Sequence, residues 1–328
     1  MSVIVFGSAN MDLVVRSHRF PDSGETITGM SLRTTPGGKG ANQAIAAARL
    51  GCSTAFVGRI GADAFGNQIR RSLVNAGVSI AGMRTEHSDD TGVAFIVVND
   101  SAENQIIIVP GANAAVGPQE LDVLSLRLRA DDLLLVQLEL DLGVVVEAID
   151  IAGRVGATVI ADPAPAPLGG LPDNFFQSFV ILTPNQTEAA ALVGYPIDSD
   201  HAAVNAASEL IARGVGAVVI TMGARGVCWS AAGSTAIVRP PRVDAVDTVG
   251  AGDAVNGALA AALGEGLTFD AAARWAVAAG ALAVTVSGAQ DAMPNRSQLL
   301  GALNDVPDSV IVSATRLTQD PVRPRQEA

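Results

Sequence analysis

DTVGAGDAVNGA, Asp247–Ala258, is the stretch on which the reading of this chain turns. Gly250, Ala251 and Gly252 carry little or no side chain, so a ligand can approach their backbone closely. The alanine-rich run behind them predicts a helix over 254–263, whose unpaired N–H groups face the glycines. Asp253 then stands at the mouth of that helix, a lone carboxylate inside an anion site. Two readings fit the local pattern: an aspartate that only caps a helix, and a base beside a bound phosphate.

A second glycine-rich helix start, PGGKGANQA at Pro36–Ala44, lies far upstream and leads into an alanine-rich helix over 41–50 that stops at Gly51. Two such starts suggest two ligands. Neither belongs to the better-known phosphate motifs. Ala41 stands where a P-loop has Ser or Thr after its lysine, and GSANMD, after the first strand, lacks the second glycine of a dinucleotide fingerprint.

Composition removes whole classes of function. A hydrophobic content of 49% over 328 residues supports a large core, and 16% charged residues are too few for widespread disorder. With 33 acidic against 21 basic residues the net charge is -12, which argues against nucleic acid or an anionic membrane as a partner. Cys52 and Cys228 make neither a disulfide framework nor a metal-ligand set. His18, His87 and His201 have no zinc spacing and no Ser or Cys constellation near them, so a carboxylate is the main candidate base. MSVIVFGSANMD lacks the charged and long apolar regions of a signal peptide, and charges break the apolar stretches elsewhere. A soluble, cytoplasmic protein is expected.

Val3–Phe6 reads as a buried strand with Ser8, Asn10 and Asp12 beyond its end. Helices over 41–50 and 64–76 flank a strand at 54–57, and strands at 132–138, 158–161, 180–182 and 217–221 alternate with further helices. Polar residues cluster where these strands stop: Gln137 with Glu139, Asp162, and Asn185. The pattern predicts an α/β three-layer sandwich around a mostly parallel sheet, with ligands beyond the strands' carboxyl ends. GVAFIVV and QIIIV read as a hairpin, and with the β-prone stretch 26–35 they form a small separate sheet, a lid built from segments 13–35 and 91–110. Residues 1–305 form the main domain. Residues 306–328 are an extension with a β-prone piece at 309–313 and a frayed polar end at 319–328.

Taken in order, GSANMD, PGGKGANQA, TGVAFIVV with NQIIIVPGANA, QLE at 137–139, DPAPAP, LTPNQTEA, TMGARGV, VDTVGAGD and SGAQ resemble the ribokinase family of carbohydrate kinases, over residues 3 to 304. The resemblance implies ATP-dependent phosphorylation of D-ribose at its 5-hydroxyl. Deoxyribose or another sugar or nucleoside is the neighbouring acceptor on the same scaffold, and a non-catalytic sugar-binding regulatory protein is the reading from another class. It also implies sugar contacts at Asn10, Asp12, Gly38, Lys39, Asn42 and Glu139, under an apolar cover of Ala94, Ile96 and Ile106. The chemistry agrees, since Asp12 and Glu139 accept from hydroxyls, Asn10 and Asn42 donate and accept, and Gly38 admits close approach. Lys39 can touch a hydroxyl or neutralise the phosphoryl group, and sequence leaves both roles open.

For the nucleotide the resemblance implies Asn185, Thr221, Gly223, Gly226 and Gly252, with Glu188 of an NxxE motif organising Mg²⁺ through water. Asp253 takes the hydroxyl proton, and backbone N–H groups of Gly250, Ala251 and Gly252 hold the γ-phosphoryl oxygens. An ordinary aspartate pKa of about 3.9 keeps that base ionised at neutral pH. The same resemblance implies K⁺ at Asp247, Val249, Ala283, Val286 and Gly288, and a homodimer formed through the lid. Two positions depart from the family pattern: Ala292, where a Ser hydroxyl is usual, and Val277, where a His or Asn often meets adenine.

Overall fold

Strand β1 (Val3–Phe6) has no residue more than 3% exposed. Val3 and Val5 enter one core while Ile4 and Phe6 enter another. A strand without a polar face needs cover on both sides, and a parallel strand between two helical layers receives it. The computed structural model describes residues 1–101, 103–167, 169–177 and 179–312. After β1 the chain forms β2 (Asn10–Arg16), β3 (Ser31–Gly37), α1 (Lys39–Arg49), β4 (Thr54–Gly61), α2 (Ala64–Asn75), β5 (Ser79–Glu86), β6 (Gly92–Val98) and β7 (Asn104–Val109). It continues through α3 (Pro118–Arg127), β8 (Leu133–Gln137), α4 (Leu142–Val155), β9 (Thr158–Asp162), β10 (Val180–Leu182), α5 (Gln186–Val193), α6 (Asp200–Ala212) and β11 (Ala217–Thr221). It closes with β12 (Val227–Ala231), β13 (Ser234–Val238), α7 (Ala251–Gly264), α8 (Phe269–Ala283), α9 (Arg296–Ala302) and β14 (Val310–Ile311).

Among the described residues, ten strands make the main sheet in the order β14-β13-β12-β11-β10-β9-β8-β1-β4-β5. The run from β11 to β5 is parallel, and β12, β13 and β14 are added antiparallel. Helices α1, α2, α7, α8 and α9 cover one face and α3 to α6 the other, which is the predicted α/β sandwich. Trp229 of β12 and Trp275 of α8 are both buried on the first of these sides. From β1 the chain order runs one way to β4 and β5, and from β8 the other way to β9, β10 and β11. The crevice beyond the ends of β1 and β8 is therefore a topological switch point, where open α/β sheets bind ligands.

Helix α7 begins at Ala251, three residues before the sequence-based start. Gly250 adopts φ 76, in the left-handed region, and serves as the N-cap. Asp253 is accordingly a first-turn residue whose side chain is not used as a cap. Helices α1 and α7 pack so closely that a Cβ on Gly257 would lie 2.3 Å from that of Ala46. Their alanine-rich faces permit this approach, and it brings both helix starts to the switch point.

The second sheet has the order β3-β2-β6-β7, with β2 and β6 parallel and the other pairs antiparallel. Only Gly7, Ser8 and Ala9 separate β1 from β2, so Asn10 and Asp12 lie on a strand of the small sheet itself. At the far edge of the main sheet, Val310 and Ile311 pair with Ile237 and Ala236. The polar end expected at 319–328 lies outside the described residues. No helix among the described residues is long and apolar enough to cross a membrane.

Candidate active site

Gly38 takes φ 87, and a Cβ there would lie 2.5 Å from the Asn10 nitrogen. Only glycine turns the chain from β3 into α1 this close to β2. The first turns of α1 consequently sit over the start of β2 and the ends of β8 and β9. The Lys39 backbone N–H donates to Glu139 Oε2 at 3.0 Å, and the Ser8 hydroxyl donates to the same oxygen. This carboxylate thus ties the ends of β1 and β8 to α1. Lys39 Nζ lies 3.5 Å from Asp162 Oδ2 at the end of β9.

Asp253 receives both side chains of the next turn. Asn42 Nδ2 donates to its Oδ2 at 2.9 Å, and Gln43 Nε2 donates to its Oδ1 at 3.1 Å. The Asn42 amide oxygen is buried and has no hydrogen-bond partner among the described residues. Asn113 Nδ2 donates to Asn10 Oδ1 at 2.8 Å and so fixes that amide. Asp12 lies against Gly37, where a Cβ would come within 2.2 Å of its Oδ2. Ala94 is paired beside Asp12 in the small sheet, and both it and Ile96 are buried. Ile106 faces Ile96 across the β6–β7 pair, yet it is 52% exposed because β7 is an edge strand.

The electrostatics of this cluster overturn the expectation of an ordinary base. Burial pushes the Asp253 carboxyl up to about 7; Asp162 adds to the rise, while Lys39 and the amides of Asn42 and Gln43 oppose it. Burial also raises Asp12 to about 7, with the charges of Glu139 and Asp253 contributing. Asp162 is raised by burial, and Glu188 is raised by burial and then by Asp162. Burial alone would depress Lys39, but Asp162, Asp253, Glu139 and Glu188 outweigh it, so its ammonium is held firmly charged. One cation thus serves four carboxylates.

Beyond Asp253 opens a cavity of about 710 Å³, lined among others by Thr221, Gly223, Gly226, Ala251, Gly252 and Val277. That size suits a small organic ligand. The Ala251 N–H turns back to the Thr248 carbonyl at 3.3 Å, so it is not free in the way the sequence suggests. Helix geometry still leaves the N–H groups of Gly252 and Asp253 without intrahelical partners. Asn185 bridges to Thr221 and opens α5, where it and Glu188 form a reciprocal capping box. Glu188 Oε2 accepts from the Asn185 N–H at 2.8 Å, and Asn185 Oδ1 accepts from the Glu188 N–H at 2.9 Å. The helix-opening role of NxxE is thus realised, and the same carboxylate faces Asp162 and Lys39.

Asp247 joins the glycine loop to the segment after α8. Its Oδ1 accepts from the Val249 N–H at 3.0 Å and its Oδ2 from the Gly288 N–H at 2.9 Å. The Val284 carbonyl accepts from the N–H groups of Val246 and Asp247, which sets Ala283, Val286 and Gly288 beside Asp247 and Val249. Ala292 is buried and adds no ligand atom from its side chain. Among the described residues no three His, Cys, Asp or Glu side chains are grouped as a metal centre. Arg33 of β3 reaches the same segment, donating to Asp291 Oδ2 at 2.6 Å and to the Ser287 hydroxyl at 3.3 Å.

Three residues at the heart of this arrangement were not singled out in the sequence as site residues: Gln43, Gln137 and Asp162. Gln43 lies inside PGGKGANQA, and the other two end buried strands, so their positions were signalled even though their contacts were not.

Residues 1–296 match the family described as pfkB family carbohydrate kinase. A ribokinase of Haemophilus influenzae is 40% identical over 299 residues, covering 91% of this chain and 97% of that protein. A deoxyribokinase of Salmonella typhi is 34% identical over 299 residues, with the same coverage of each. The structure of Arabidopsis thaliana ribokinase complexed with ribose and ATP superposes with a TM-score of 0.82 at 34% identity, covering 92% of this chain and 98% of that one. With its two glycine-opened helices meeting at a buried aspartate and its family match running almost end to end, the chain belongs to the pfkB family of carbohydrate kinases.

Proposed function

We propose that this protein transfers the γ-phosphoryl group of ATP to the 5-hydroxyl of D-ribose, giving ribose 5-phosphate and ADP. The observation that carries this reading is the Asp253 carboxylate, buried and held by Asn42 and Gln43 where the lid-covered crevice meets the 710 Å³ cavity. Greater likeness to the Haemophilus influenzae ribokinase than to the Salmonella typhi deoxyribokinase favours ribose as the acceptor.

Residues 1–305 are the catalytic unit in this reading. The sugar lies between the lid and the ends of β1 and β8. Asn10, Asp12, Gly38, Asn42 and Glu139 take its hydroxyls, and the unpartnered Asn42 oxygen accepts one of them. Ala94 and Ile96 cover its apolar face, and Ile106 extends the cover at the rim. Asp253 accepts the 5-hydroxyl proton as the oxygen attacks phosphorus. The α7 N-terminus, at Gly250 and Gly252, holds the phosphoryl oxygens, and Lys39 offsets their charge. Transfer of this kind has a loose transition state, so positioning and charge stabilisation matter more than base strength.

ATP occupies the cavity, with Thr221, Gly223 and Gly226 along its wall and Asn185 beside it. Magnesium fits here as a hydrated ion brought by the triphosphate, because the described residues offer no ligand cage and Glu188 has lone pairs free for its waters. It would neutralise phosphate charge during transfer. Potassium fits the oxygen-rich junction of Asp247 and Val249 with Ala283, Val286 and Gly288, where it would stiffen the glycine loop. The loss of a hydroxyl at Ala292 weakens that site. Exposed Leu32, Phe95, Ile107 and Val109 share the face of the small sheet opposite Asp12, and we read them as a homodimer interface in a cytoplasmic enzyme.

A coupled ADP-release assay across ribose, deoxyribose, fructose and adenosine should give ribose the highest kcat/KM; preference for deoxyribose would replace it as the acceptor. In the same assay Asp253→Asn should lose about 10²–10⁴-fold in kcat while still binding ribose. Near-normal turnover would remove Asp253 from the base role. Since the raised carboxyls must be ionised to work, kcat/KM should fall as pH drops through about 7 and fall steeply where Asp12 and Asp253 titrate together. A profile flat down to about pH 5 would contradict buried carboxylate chemistry. Potassium should raise kcat over a buffer of large organic cations, and equal rates would argue against the ion. Sedimentation velocity should show a dimer, and a monomer would refute the lid interface.

A further inference from the structure

We propose that Gln43 is a positioning residue for the phosphoryl transfer: its amide is locked by Gln137 so that both N–H groups point at the carboxylates of Asp253 and Asp162, fixing the base in the attitude that transfer requires. The proposal rests on the kinase reading above and extends it to side chains outside the sugar and nucleotide contacts.

The orientation follows from chemistry alone. Gln43 Nε2 lies 3.1 Å from Asp253 Oδ1 and 3.0 Å from Asp162 Oδ2. An ionised carboxylate can only accept, so the group facing both must be the NH₂ and not the carbonyl. The Gln43 oxygen then points the other way, where Gln137 Nε2 donates to it at 2.6 Å. Gln137 is left with its own amide oxygen buried and without a partner among the described residues, against Gly7, where a Cβ would lie 2.1 Å from that oxygen. Turning the Gln43 amide over would set its carbonyl oxygen against both carboxylates, and turning Gln137 over would set its carbonyl oxygen against that of Gln43. Both glutamines are buried, Gln43 at 1% exposure, so water cannot substitute.

With Asn42 holding Oδ2 and Gln43 holding Oδ1, both oxygens of Asp253 are tethered from one helix. The plane of the carboxylate is fixed, while the second lone pair of each oxygen stays open to a hydroxyl. Gln43 also separates two like charges. The charged groups around Asp253 are Lys39 from α1, Asp162 from β9 and Asp12 from β2, with Glu139 after β8 and Glu188 of α5 further out. Without the amide's donors between them, the Asp162 charge weighs more heavily on Asp253, and the base holds its proton to higher pH. That proton would occupy the base in the pH range where it must be empty.

Gln43→Met keeps the length of the side chain and removes its donors. Relative to the wild type, we expect kcat to fall at least about tenfold, KM for ribose and for ATP to change less than about threefold, and the acid limb of the kcat profile to move up by about one pH unit. Gln137→Met leaves Gln43 present but unanchored, and should move the limb the same way by less; it carries the test if Gln43→Met does not fold. The Asp253 carboxyl, followed by ¹³C NMR and identified by its loss in Asp253→Asn, should titrate higher in both variants than in the wild type. That titration needs no turnover. A wild type inactive on ribose but active on another sugar, with displaced titrations in the variants, would defeat the ribose reading and leave the role of Gln43 standing. An acid limb and an NMR titration unmoved in both variants would overturn the proposal, whatever their activity.

Discussion

The contact on which the active site depends is the one between Gly257 of α7 and Ala46 of α1, where the helices lie too close for any Cβ on Gly257. Asn42 lies four residues before Ala46, and Asp253 four residues before Gly257, so each polar residue sits one turn above the contact on the same helix face. Close packing at one level therefore dictates hydrogen bonding at the next. A larger residue at Gly257 would move the helices apart and take Asp253 out of reach of Asn42 and Gln43. The small residues of α1 and α7 are in this sense part of the catalytic geometry, although none of them performs chemistry.

The same closeness concentrates negative charge. Glu139, Asp162, Glu188 and Asp253 surround one ammonium, Asp12 adds its charge beside Glu139 and Asp253, and burial lifts Asp12, Asp162, Glu188 and Asp253 above their ordinary range. Such a cluster is unfavourable for the protein by itself, because the charged forms lack compensating partners. It is a site tuned to its ligands, where sugar hydroxyls donate to the carboxylates and a hydrated cation travels with the triphosphate. Stability is given up locally where function needs it. Dual use reduces the cost: Glu188 faces the site while closing the capping box of α5, and Glu139 pins two strands to α1.

Much of this was legible in the sequence. The apolar run Val3–Phe6 and the strand ends at Gln137, Asp162 and Asn185 predicted a covered parallel sheet with polar residues at one rim, and the two glycine-rich helix starts pointed to two ligands. The start of α7 was not legible, since only the left-handed conformation of Gly250 shows that the helix begins at Ala251. Nor was the state of Asp253. An aspartate behind glycines reads as solvated, whereas its surroundings are assembled from α1 and β9, segments that no local pattern connects to it. Gln43 failed to stand out for a related reason. Its meaning lies in the orientation of an amide, and that is set by Gln137 on a distant strand.

The chain has two tryptophans and one tyrosine. Trp229 and Trp275 are both packed into the core formed by α1, α7, α8 and the main sheet, Trp229 with the Phe269 ring 5.5 Å away and Trp275 beneath the Arg296 guanidinium. The strands of the small sheet contain neither residue type. Intrinsic ultraviolet emission from this protein is consequently a gauge of the body alone. It registers melting of the α7–α8 layer and is silent to any swing of the cover over the sugar, which an observer can follow only with a reporter attached to that cover.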